Sequence, residues 1–291
     1  IMASERLWQM EFQTHAAGGR LSEIVGEKAL GYDRFQRRVG MKFGAENSLN
    51  AILKDQELLP LVDAFTKGIN TYIASLSPDQ YPLEYKILDY APEPWIPLKT
   101  SLLLKYMAWM LTGRNTELTY TRMWNEMGRD VVEELFPIFP WFVDPILPPG
   151  TKYDFEPLAL DIPQNLYQSK ADRGNIITQE HEGIGSNNWV VSGNRTKSGN
   201  AILANDPHLG LNLPSIWYAM HLVSPNQNVM GVTLPGTPGI IIGFNDHVSW
   251  GLTNGYDDVM DWYDIQFKDS TMTEYFHDNT WKPTRKIVEK F

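Results

Sequence analysis

The feature that most constrains this chain is a change of periodicity near residue 186. Up to about residue 134, apolar residues recur at three- and four-residue spacing, the mark of amphipathic helices. Residues 5–15 carry Leu7, Met10 and Phe12 among helix formers and stop at Gly18-Gly19. Residues 49–76 form a second helical region, interrupted at Leu59-Pro60, with Leu61, Phe65, Ile69 and Tyr72 on one face. Residues 99–111 and 116–127 are two further helices. Beyond residue 186 the apolar runs are short and are separated by Gly, Pro and Asn, which is strand and turn chemistry. They fall at residues 189–192, 201–204, 217–223, 229–232, 240–244, 248–253 and 260–267. This order predicts an α+β protein, a helical N-terminal half followed by antiparallel strands.

Between the two patterns the chain loses its large apolar residues. Residues 136–163 are proline-rich, and residues 164–185 are polar, the composition of an exposed linker. The expected organisation is therefore a helical region over residues 1–163, a spacer over 164–185 and a strand-rich region from 186 to 291. Both ends read as cut from a longer protein.

Composition narrows the chemistry. The 291 residues are 43% hydrophobic and 12% aromatic, enough for a sizeable core. A formal net charge of −10 with no basic run argues against nucleic acid or an anionic membrane as a partner. The longest apolar run, residues 101–111, is too short and too interrupted to span a bilayer. With no cysteine, thiolate catalysis and cysteine-ligated metals are excluded. The six histidines form no metal-binding spacing such as His-Glu-x-x-His.

Where spacer meets strand, the chain reads Gly185-Ser186-Asn187-Asn188-Trp189. Gly-Ser is ordinarily a turn. A cut after Gly185 would give Ser186 both a hydroxyl and a free α-amine of pKa about 8, close enough to neutrality to act as the base for that hydroxyl.

Three blocks carry a family resemblance: Glu5-Arg6-Leu7-Trp8-Gln9-Met10 with Gly19-Arg20-Leu21; the junction from Gly185 through Ala204-Asn205-Asp206-Pro207-His208-Leu209; and residues 239–261, which include Gly243-Phe244-Asn245-Asp246 and Asp257-Asp258-Val259-Met260-Asp261. In that order, the chain resembles a precursor of the penicillin acylase family of N-terminal nucleophile hydrolases. The resemblance implies an αββα fold, self-cleavage at Gly185–Ser186, loss of the spacer and two associated chains, α and β, from one precursor. It implies a periplasmic or secreted hydrolase of small N-acyl amides, such as penicillin-type side chains or acyl-homoserine lactones.

The resemblance also assigns residues. Ser186 is the nucleophile, and the backbone N–H of Asn254 is one oxyanion donor; the second, an asparagine side chain, falls beyond Phe291. His208, otherwise a turn histidine, would orient the α-amine or assist the oxyanion. Leu209, Ile241, Ile242 and Leu252 match the acyl-pocket region, with Leu111 and Arg114 on a covering helix, although core packing also explains the aliphatic residues. Calcium between the chains would take carboxylates from Glu117, Asp258 and Asp261 and the carbonyl of Met260, hard oxygen donors of the type it accepts. The competing expectation is a non-catalytic, calcium-stabilised binding domain that keeps the fold, or an unprocessed and inactive piece of the enzyme.

Overall fold

The computed structural model of the chain describes residues 1–112, 117–137, 150–152, 185–255 and 262–291. Its helices are α1 (Met2–Gly18), α2 (Ser22–Val25), α3 (Leu30–Arg38), α4 (Met41–Ile52), α5 (Leu58–Ser75), α6 (Leu83–Leu88), α7 (Pro97–Met110), α8 (Glu117–Met127) and α9 (Arg129–Leu135). Its strands are β1 (Gly185–Val191), β2 (Ile202–His208), β3 (Tyr218–Ser224), β4 (Gln227–Thr233), β5 (Ile242–Asn245), β6 (Ser249–Trp250), β7 (Glu274–His277) and β8 (Thr280–Pro283). Helices followed by antiparallel strands make this the α+β architecture that the periodicity predicts.

The polypeptide divides into two compact units. The first holds α1 to α7 and β1 to β6, and α1 is its centre. Leu7 and Met10 of α1 are buried with Ile69 of α5, Tyr85 of α6, Leu103 of α7 and Trp95 just before α7, and Tyr218 and Met220 of β3 pack against this cluster. A second cluster joins Ala17, Met41, Ala45 and Leu102. α1 ends where Gly19 takes a left-handed conformation at φ 63°, its N–H donating to the Ala16 carbonyl. A Cβ at Gly19 would sit 2.7 Å from the Asp33 carbonyl oxygen, so only glycine allows α3 to approach this closely.

From Thr14 to Gly18, and at Gln9 and Glu11, α1 is buried, so its polar side chains there need internal partners. Glu11 is 1% exposed and accepts from the Tyr85 hydroxyl and the Glu93 N–H, both at 3.0 Å. Burial raises its pKa above the usual carboxylate value. Glu93 in turn takes Arg20 at 2.6 Å and Lys99 at 3.1 Å. The Arg20 hydrogen bond, helped by Lys99, holds Glu93 down to about 2 against the effect of its own burial.

The strands join this core through the turn after β4. Gly236 has φ 101°, and a Cβ there would lie 2.3 Å from Leu103 Cδ1. Its carbonyl accepts from Thr100 Oγ1 at 3.1 Å, and Thr100 Oγ1 accepts from Trp95 Nε1 at 3.2 Å. A backbone turn is thus inserted between α7 side chains. β3, β4, β5 and β6 form one antiparallel sheet in that order, while β1 and β2 pair as a separate hairpin.

The second unit contains α8, α9, β7 and β8. The β7–β8 hairpin turns at Asp278-Asn279, both at positive φ (51° and 57°), the backbone of a tight two-residue turn that Asp and Asn tolerate.

Three sequence expectations need correction. The helical region over residues 49–76 breaks at 53–57, not at Pro60: the Asp55 carboxylate accepts from the N–H groups of Glu57 and Leu58, and Pro60 lies in the first turn of α5, where a missing N–H leaves no helical bond unmade. The strand expected over residues 248–253 shrinks to Ser249–Trp250, because residue 252 pairs with a side chain instead of a neighbouring strand. Of the strand expected over residues 260–267, the described part, 262–267, holds only an isolated bridge from Phe267 to Tyr275. Gly185 takes extended backbone as the first residue of β1.

Candidate active site at the junction hairpin

β1 and β2 pair so that Gly185 faces His208, Ser186 faces Pro207, Asn187 faces Asp206 and Asn188 faces Asn205. The register brings the two ends of the junction motif, 23 positions apart in numbering between Gly185 and His208, onto one rung. Pro207, opposite Ser186, contributes no N–H to the ladder. The Ser186 hydroxyl donates to the Gly185 carbonyl oxygen at 2.5 Å. The hydroxyl therefore rests on the peptide unit whose cleavage would free the Ser186 amine.

His208 stands beside that unit. A Cβ built on Gly185 would lie 3.8 Å from His208 Nδ1. The other ring nitrogen, Nε2, is 2.6 Å from Asp206 Oδ2. Nε2 thus faces the carboxylate, and Nδ1 lies on the side of Gly185. Both side chains are about half exposed, so the pair is hydrated.

A residue to which sequence reasoning gave no role holds the third element. Asn205 Nδ2 donates to the Asn187 carbonyl at 2.9 Å and to the Leu252 carbonyl at 3.1 Å, while Asn205 Oδ1 accepts from the Leu252 N–H at 3.0 Å. Its place in Ala204-Asn205-Asp206-Pro207-His208 was the one available signal. Asp206, which holds His208, was missed for the same reason.

The remaining sequence-derived residues are more dispersed. Leu252 has its backbone on Asn205 but its side chain 51% exposed. Ile242 opens β5, and the Ile241 carbonyl accepts from Trp250 Nε1 at 2.9 Å. Leu209 follows β2, and Leu111 ends α7. A groove of about 520 Å³ lies at the β3–β4 turn, lined by Leu222, Asn228, Ile240, Asp246, His247 and Trp250 among others, and shares none of the five residues expected for an acyl pocket. Of the four calcium candidates, Asp258, Met260 and Asp261 lie outside the described residues, and Glu117 opens α8 in the second unit. The group of metal-capable side chains that does converge among the described residues is His15, Glu23 and Glu93. Arg20 lies 2.5 Å from Glu23 and 2.6 Å from Glu93, so these carboxylates already have a cation.

With this geometry in place, known proteins supply the context. The sequence profile of the penicillin amidase family matches residues 1–291.

The chain belongs to the penicillin amidase family.

It is 31% identical over its whole length to an acyl-homoserine lactone acylase QuiP of Pseudomonas aeruginosa, of which it covers 34%. It is 30% identical over 95% of its length to the penicillin acylase 2 proenzyme of a Pseudomonas strain, covering 35% of that protein. Penicillin G acylase of Escherichia coli is 21% identical over 97% of the chain, which covers 38% of it. The chain thus spans about a third of the length of the relatives it matches. These relatives are acylases by name, and membership places this chain in a family of amide hydrolases. Among the described residues no helix is long and apolar enough to cross a membrane.

Proposed function

We propose that this chain contains the self-processing junction and nucleophile of an exported acylase that cleaves small N-acyl amides, of the penicillin side-chain or acyl-homoserine lactone type. The observation that carries the reading is the Ser186 hydroxyl at 2.5 Å on the Gly185 carbonyl oxygen, in a family whose relatives include a proenzyme.

In processing, Ser186 Oγ attacks the Gly185 carbonyl carbon and its proton passes to the departing Ser186 nitrogen. The C–N bond breaks and an ester to Oγ remains, which water hydrolyses to leave a Gly185 carboxylate and a free α-amine on Ser186. In turnover that amine accepts the hydroxyl proton, directly or through water, as Oγ attacks the substrate amide. The proton then goes to the leaving amine, and water releases the acyl group. The Asn254 backbone N–H is proposed to stabilise the oxyanion, and His208, held by Asp206, to orient the Ser186 amine. Each developing charge then meets a fixed dipole. A structural calcium held by Glu117, Asp258, Asp261 and the Met260 carbonyl belongs to the same proposal; it would supply charge neutralisation between segments, and no bond-making step passes through it.

Intact-mass analysis of the full-length protein tests the reading. A break between Gly185 and Ser186 is expected, and Ser186→Ala should give one uncut chain without acylase activity. A single uncut chain that still turns over an N-acyl amide refutes it, and an uncut chain without turnover favours a binding role.

A further inference from the structure

We infer that Asn205 is a positioning residue of this site: its carboxamide sets the spacing between the strand that carries Ser186 and the segment that leads to Asn254. The inference rests on the reading of Ser186 as nucleophile. It assigns a part that neither the junction motif nor the family likeness supplied.

A carboxamide is planar, with one acceptor oxygen and two N–H donors, so it can stand in for a backbone peptide unit. Asn205 uses it that way. The pairing of β6 with β5 ends at Trp250, opposite Gly243. Two residues further, the Leu252 N–H and carbonyl turn to Asn205 Oδ1 and Nδ2 at 3.0 and 3.1 Å, the two-bond pattern that a neighbouring strand would offer. The same Nδ2 reaches the Asn187 carbonyl at 2.9 Å. Asn187 directly follows Ser186, and Leu252 lies two residues before Asn254. One rigid group therefore bridges the nucleophile's strand and the segment of the proposed oxyanion donor.

Gly251 is the independent sign that this contact is built for closeness. A Cβ at position 251 would lie 2.8 Å from Asn205 Cβ and 2.9 Å from both Cγ and Oδ1, closer than real atoms approach. Any side chain there would push the two segments apart. An oxyanion donor acts only within about 2.7–3.1 Å of the developing charge. A displacement of about 1 Å costs on the order of 100-fold in rate.

The test uses the full-length protein, a chromogenic acyl p-nitroanilide, and three variants: Asn205→Asp, Gly251→Ala and the pair together. Asn205→Asp keeps the shape and the acceptor for the Leu252 N–H but removes both donor bonds. Each single variant should lower kcat on the order of 10- to 100-fold with KM within about twofold, and should slow cleavage at Gly185–Ser186. Because both changes break one contact, the double variant should be no worse than the weaker single variant. Thermal midpoints should fall by no more than a few degrees, too little to unfold the variants at the assay temperature. The inference is overturned by wild-type kcat in both singles, by losses that multiply in the double, by a change confined to KM, or by a kcat loss that tracks a fall in thermal midpoint. Ser186→Ala separates this from its parent: if it is still cut or still turns over, the nucleophile reading fails first, and this inference with it.

Discussion

Around α1, side chains of every polarity are buried; along β1 and β2, apolar side chains stand in solvent on both faces. Leu7 is 2% exposed and Met10 0%, whereas Trp189 is 63% and Val190 68% exposed. The first region is held by packing, and buried Glu11 is tied to Tyr85 and the Glu93 N–H. The second is held by its backbone ladder and a few polar side-chain contacts, among them Asn205 on Leu252. The chemistry of the family is proposed for the second region. Stability and activity should therefore respond to different residues, and mutations can separate them.

The largest expected effect is in the helical core. Leu7→Ala should cost about 2–5 kcal/mol, because Leu7 is buried in the cluster of α1 with Ile69, Tyr85, Trp95 and Leu103. Urea denaturation followed by circular dichroism would measure it. A cost below about 1 kcal/mol would break the contrast by showing that α1 is not the centre of the fold. Next is Gly236→Ala, which places a Cβ 2.3 Å from Leu103 Cδ1 at φ 101°. Overpacking and backbone strain together should cost about 1–3 kcal/mol in the same assay, since this turn couples β4 to α7.

The pH dependence of folding sharpens the comparison further. Glu93 is held at about 2 in the fold, chiefly by Arg20, against an ordinary 4.5. Its contribution to stability is thus complete above pH 4.5 and is lost as pH falls from there toward 2. Buried His15, whose pKa is lowered chiefly by desolvation, acts in the same direction below its ordinary 6.5. Glu11 acts in the opposite direction, since the fold favours its protonated form. The decisive measurement is therefore the difference between wild type and Glu93→Gln. The variant should be less stable at pH 6, and the gap should narrow as pH falls below 4.5 and close only near pH 2. A gap that does not change with pH would show that the Arg20 bridge contributes nothing net.

How far the sequence foretold this depends on the distance over which each feature is decided. α1 and its stop were legible because the helical spacing of Leu7 and Met10 and the glycine at 19 are local signals. The break before α5 was misplaced because Pro60 is an obvious signal, whereas capping by Asp55 depends on geometry. The β7–β8 hairpin went unread although Asp278-Asn279 carries its turn, since strands of four residues leave little pattern. At the site, Gly185-Ser186 and His208 were legible as parts of one motif. Asn205 was not, because its partner is a backbone 47 residues away and no side chain at 252 reports it.

The smallest expected effect lies in the hairpin itself. Trp189→Ser and Val190→Thr remove apolar surface that is already mostly in water, so the transfer term that makes Leu7→Ala costly is nearly absent. Each should change folding stability by no more than about 0.5 kcal/mol. Threonine also keeps the β-branch that suits a strand at position 190, so the register opposite Leu203 should persist. The measurement is denaturation of the 291-residue protein beside Leu7→Ala, with light scattering to follow association through the exposed faces. Less scattering at unchanged stability would confirm that the hairpin is carried by its ladder. A stability loss approaching that of Leu7→Ala would mean that β1 is buried in solution, and the separation between a packed core and an exposed junction would fail.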